Sequence, residues 1–178
     1  EVVLPNTVKI NIESYKALFN SEINWKKYII TENWTAIPTK EWNQEIWEIN
    51  IKSIKNNNIS LIDYKNIFDT KFISSIYILK KKLEENIINI EVNKITYYEI
   101  EREAHFYINN DTIIIFDLNW DINKQIQAIS IFSKENEYNI DISKPWIVYI
   151  DLRINDKIFY CPIENESQCK KNLKDIYN

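Results

Sequence analysis

The residues best placed by type and spacing to do chemistry are Glu99, Glu101, Glu103 and His105. They alternate along the segment from Tyr97 to His105, and His105 is the single histidine of the chain. On a β-strand, residues two apart share a face, so this spacing sets three carboxylates beside one imidazole. Such a row could move a proton or hold a cation. It is also the pattern of a solvated strand face, with Tyr98, Ile100, Ala104 and Phe106 turned to a core. The second reading asks for less and is preferred, so no catalytic residue is assigned. A nucleophilic pairing of Cys161 with His105 would need a base set by a local motif, and neither residue lies in one.

Asp117, Asn119, Asp121 and Asn123 alternate like the start of a calcium-binding loop. The sharp-turn glycine and the closing glutamate of such a loop are missing, and position 128 is Ala. No metal site is expected. Cofactor chemistry is restricted more severely, because the chain has no glycine in 178 residues. Phosphate loops, dinucleotide-binding turns and nucleophile elbows all depend on glycine for left-handed backbone or close approach to a ligand. No cofactor is expected.

What remains is surface chemistry. The net charge is −4, which disfavours nucleic acid, whose binders present a basic face. It is compatible with a basic protein partner. Four of the six tryptophans fall early in the chain, at Trp25, Trp34, Trp42 and Trp47, and aromatic residues dominate contact hot spots. The candidate partner-binding residues are therefore Glu99, Glu101, Glu103, Glu135 and Glu137, with Trp34 and Trp42. No apolar run reaches the roughly 18 residues of a membrane span.

Cys161 and Cys169 are the only cysteines and stand eight residues apart. A disulfide between them would close a short loop and stabilise the fold by about 2–3 kcal/mol. Such a bond would favour a secreted or periplasmic setting. Two free thiols would favour the cytoplasm.

The elements that must position these groups follow from periodicity. Val8, Ile10 and Ile12 suggest an extended start, residues 14–20 a turn or two of helix, and residues 25–38 an irregular, Trp-rich stretch. Alternation over 45–54 suggests a strand. Phe68, Phe72, Ile76, Leu79, Leu83 and Ile87 recur every three or four residues and predict one helix over 63–86. Beyond it the pattern is β. Strands are expected at 88–92 and 95–100, then as hairpins at 104–108 with 112–118, 126–133 with 138–142, and 146–154 with 157–163. A short helix is expected at 170–177. The fold class is thus α+β: an antiparallel meander of hairpins with one long amphipathic helix on one face. The chain is expected to be one domain over 1–178, with an irregular segment over 1–45 and the core over 46–163.

The run Ile113-Ile114-Ile115-Phe116-Asp117-Leu118-Asn119-Trp120-Asp121, with Ile126 after it, resembles a bacterial domain of unknown function. In that domain an amphipathic helix precedes a strand ending in Trp-Asp, then Glu-Glu-His-Gly, then an apolar strand. Here Ile122-Asn123-Lys124-Gln125 replaces Glu-Glu-His-Gly, so the motif's histidine and acids are missing. The domain sometimes occurs among toxin–immunity loci. Taken with the acidity, the single small α+β domain and the lack of a catalytic motif, the resemblance favours a non-enzymatic binding protein, an immunity-type inhibitor that covers a toxin through an acidic, aromatic-containing surface. The alternatives are a secreted or surface-anchored ligand-binding domain, and a small hydrolase using the Glu/His row.

Overall fold

The computed structural model describes residues 14–23, 25–52, 64, 70–87, 89–109, 111–135 and 141–177. Among the described residues, nine strands form one mixed sheet. In chain order they are β1 (Ala17–Ile23), β2 (Lys26–Thr31), β3 (Ala36–Thr39), β4 (Trp47–Lys52), β5 (Val92–Tyr98), β6 (Glu103–Ile108), β7 (Ile113–Asp117), β8 (Ile147–Asp151) and β9 (Phe159–Pro162). Their order across the sheet is β3-β2-β1-β4-β5-β6-β7-β8-β9. Three helices among the described residues accompany them: α1 (Thr70–Asn86), α2 (Ile122–Glu135) and α3 (Glu166–Tyr177), the last entered through a 3-10 turn, Ile163–Asn165.

The sheet is not the expected antiparallel meander. β1–β4, β4–β5 and β7–β8 are parallel pairs. The cause is connectivity. A tight turn can join only antiparallel neighbours, whereas parallel neighbours need a crossover. Here α1 lies between β4 and β5 in the chain, and α2 between β7 and β8. Both crossovers step the same way across the sheet, so a common right-handed sense puts both helices on one face.

Several local expectations change with this. Residues 126–133, read as a strand, belong to α2. Ile122, Ile126 and Ile129 are four and three residues apart, which is helical spacing, and Asp121 Oδ1 caps the helix by accepting from the Asn123 N–H at 2.8 Å. The stretch 17–39, read as a helical turn and an irregular region, is β1–β3. Of the strands expected at 88–92 and 95–100 the structure has β5 over 92–98, with 89–91 outside it and 99–100 in the turn that follows. The hairpins β6–β7 and β8–β9 form as expected. The extended start at 1–12 and the acid Glu137 lie outside the described residues.

One face of the sheet carries the main core. Ile73, Ile76, Leu79 and Leu83 of α1 and Ile129 of α2 are fully buried against Ile95, Phe106, Ile114 and Phe116. Lys80 is buried with them. Its ammonium stands 3.3 Å from the centre of the Trp47 ring and 2.6 Å from Glu84, which also accepts the Val92 N–H at 2.9 Å. That group ties α1 to β4 and β5. Burial lowers the Lys80 pKa, against the pull of Glu84.

Without glycine, left-handed turns fall to other residues. Trp25, Trp34, Asn89, Arg102, Asp111 and Asp156 all have φ between 57° and 64°. Asn and Asp tolerate this conformation, but a Trp in it costs roughly 1–2 kcal/mol. Trp25 is 95% exposed and recovers none of that cost by packing. Trp25→Gly should therefore raise stability by about 0.5–1 kcal/mol after the greater freedom of the unfolded glycine is counted. Thermal melting should show a rise of about 1–4 °C. A lower melting temperature would show that the Trp25 side chain is supported.

Candidate functional site

The sheet's second face holds the cluster nearest to a functional site. Alternation along β6 turns Ala104, Phe106 and Ile108 to the main core, and Glu103 and His105 to the other side. Register sets Tyr98 opposite Glu103 and Thr96 opposite His105, so these four share that face. Ile115 lies across from His105, and Asp151 across from Ile115. α3 packs over the β8–β9 end of this face and brings Tyr177 onto the cluster.

Arg153, just past β8, is the hub. It grips Asp151 bidentately, Nε to Oδ1 at 2.9 Å and Nη2 to Oδ2 at 2.6 Å. Its Nη1 donates to both Glu103 oxygens, at 3.1 and 3.2 Å, and to the Tyr177 hydroxyl at 2.6 Å. The Tyr177 hydroxyl in turn donates to Glu103 Oε2 at 2.5 Å. Bidentate guanidinium–carboxylate pairs of this kind are among the stronger polar contacts. The His105 ring is wedged between Tyr98 and Tyr177, with centroids 4.7 and 4.6 Å away. Its Nε2 stands 3.7 Å from Glu103 Oε2, too far for a hydrogen bond, and has no such partner among the described residues.

Protonation follows from burial and charge. Burial pushes the His105 imidazole below its ordinary value. Arg153 adds to this, and Glu103 and Asp151 oppose it without reversing it. For Glu103, burial pushes the carboxyl up, but His105, Tyr177 and Arg153 outweigh it, and the carboxyl sits below its ordinary range. Burial raises the Tyr177 hydroxyl, as does its bond to Glu103. Burial, with the negative neighbours, lifts Tyr98 to about 12. The resting cluster is thus a neutral imidazole beside one guanidinium and two carboxylates. With His105 only 2% exposed, the arrangement anchors α3 to the sheet.

The Glu/His row is only half assembled. Glu103 and His105 sit together on β6, whereas Glu99 and Glu101 lie in the β5–β6 turn, residues 99–102. Burial raises the Glu99 pKa, and both Glu101 carboxylate oxygens are buried without a hydrogen-bond partner among the described residues. Glu135 ends α2. Trp34 packs partly buried against the main core, and Trp42 is partly buried with the Lys27 ammonium 5.2 Å from its ring. The calcium-like residues serve turns: Asp117 Oδ1 accepts from the Asn119 N–H at 2.8 Å, and Asp121 caps α2. No group of three or more metal-ligating side chains occurs among the described residues. Cys161 and Cys169 pair as a disulfide, their Cα atoms 6.3 Å apart and within the usual range.

Sequence reasoning missed Arg153, Asp151, Tyr98 and Tyr177. One signal was available: Arg153 is one of only two arginines among 22 basic residues, and arginine is the residue suited to forked carboxylate pairing.

No family model matches the chain, and no curated protein matches it. Among solved structures it is similar to the major extracytoplasmic domain of the cell division protein DivIB from Geobacillus stearothermophilus, in its trans isomer. That likeness has 10% identity and a TM-score of 0.37, and covers 72% of this chain and 98% of that one. No helix among the described residues is long and apolar enough to cross a membrane.

The cluster sets a pH dependence. A histidine held neutral in the fold stabilises it above its unfolded pKa of about 6.5, and that stability is lost as pH falls below this value. Glu103, held low, adds a second loss as pH drops through about 4.3. Glu99, held high, works the other way in that lower range. His105 is the only histidine, so His105→Gln should flatten the change in urea-unfolding stability between pH 7.5 and 5.5. An unchanged difference between these pH values would assign the sensitivity to another group.

Proposed function

We propose that this chain is a non-enzymatic binding domain that works outside the cytoplasm and takes an extended segment of a protein partner onto its sheet edge. The carrying observation is the asymmetry of the two edges. Each edge strand carries a proline, Pro38 or Pro162, but at β3 the Tyr64 N–H already donates to the Ala36 carbonyl at 2.8 Å. At β9 no described strand covers the outer side, and Phe159 there is 47% exposed. An open edge of this kind is a template for strand addition.

The Cys161–Cys169 pair supports an oxidising compartment. The enclosure of His105, and the commitment of Glu103 to Arg153 and Tyr177, favour binding over hydrolysis. An immunity-type inhibitor of a basic toxin is a narrower form of the same reading. Its acidic contacts would fall to the turn acids, because Glu103 is held by Arg153.

A photoreactive benzoylphenylalanine at position 159 tests the edge in cells that make the protein. It should give a discrete cross-linked species that the same group at Ile37, on β3, does not give. Equal cross-linking from both edges, or none from position 159, would remove the β9 reading. Alkylation of thiols in intact cells tests the compartment: Cys161 and Cys169 should resist labelling until reductant is added, and immediate labelling of both would place the chain in a reducing environment.

A further inference from the structure

α3 is fastened at two points and buries almost nothing between them. Of its twelve residues only Cys169 is buried. Beneath it lies a small cluster separate from the main core, Val148, Cys161 and Cys169, with Tyr149 and Ile163 against it. The half-cystine is therefore the helix's own main apolar contact. The other fastening is Tyr177, eight residues on and about 12 Å along the axis, where its hydroxyl bonds Glu103 and Arg153 and its ring lies 4.8 Å from Tyr98. Lys170, Lys171 and Lys174, between the two, are exposed.

We propose that α3 is a redox-controlled cover over the second face of the sheet, seated while Cys161 and Cys169 are joined and released when a dithiol reduces them. The exchange balances. A thiolate of the dithiol attacks one sulfur, and the Cys161–Cys169 bond breaks through a mixed disulfide. The second thiol then closes the reductant into its own disulfide, leaving two protein thiols. Both cysteines are buried, at 6% and 3% exposure, so the reductant reaches them only when α3 lifts. The Tyr177 anchor thus sets how fast reduction proceeds, and the disulfide sets whether α3 reseats. Release uncovers Tyr98, His105 and Val148, while the main core on the other face keeps its own packing.

Hydrogen exchange read by mass spectrometry, with and without dithiothreitol, tests this. In the reduced protein the amides of α3 should exchange at least about tenfold faster, with β5, β6 and β7 unchanged. Tyr177→Phe should speed reduction by dithiothreitol several-fold without altering exchange in those strands. Cys161→Ala with Cys169→Ala should reproduce the released state without reductant. Equal protection of α3 in both redox states would overturn the proposal. So would loss of protection in β5–β7 together with α3, which would make the disulfide a staple of the whole fold.

Discussion

Parallel pairing at the centre of the sheet is the constraint on which the other parts depend. β4–β5 and β7–β8 can be parallel neighbours only because the chain leaves the sheet and returns with α1 or α2 in between, and β1–β4 because β2 and β3 intervene. Those two helices then have to pack on the same face. Their apolar stripes, Ile73, Ile76, Leu79 and Leu83 on one and Ile126 and Ile129 on the other, supply the main core. With that face filled, the second face is covered, among the described residues, by one light helix, α3. The asymmetry between a heavily packed side and a thinly covered side follows from the crossovers.

The thin side substitutes specific bonds for buried area. Arg153 is held by two carboxylates and a hydroxyl from three separate parts of the chain. Partly buried ion pairs of this sort add little net stability over well-packed apolar groups, because desolvation offsets most of the attraction. Losing one partner is costly, because the remaining charges are left uncompensated. The cluster therefore selects one position for the end of α3 more than it strengthens the fold.

Much of the local structure was legible in the sequence and little of the long-range structure was. The α1 stripe and the β6–β7 and β8–β9 hairpins follow from spacing and from turn residues such as Asp111 and Asp156, which tolerate φ near 60°. α2 was hidden by its isoleucines, whose β-branching favours strands, although Asp121 before Ile122 was a helix-start signal. β1–β3 were hidden because Trp25 and Trp34 occupy left-handed positions that normally mark themselves with glycine. The site was least legible. Glu103 and His105 were visible as neighbours on a strand, but Glu103 meets Arg153 across 50 residues and Tyr177 across 74. No local pattern carries pairings of that range, and they exist only once the strand order is known.

The seating of α3 also fixes how the molecule carries a pulling force. Tension lifting the helix from the sheet meets the Tyr177 end first, where hydrogen bonds give way one after another. It then arrives at Cys169, where the link to β9 is covalent, and the load passes directly into the outermost strand. β9 is bonded to β8 over four residues, so the whole stress falls on that short ladder. Helix and edge strand consequently behave as one mechanical piece, held to the rest of the sheet by the β8–β9 ladder.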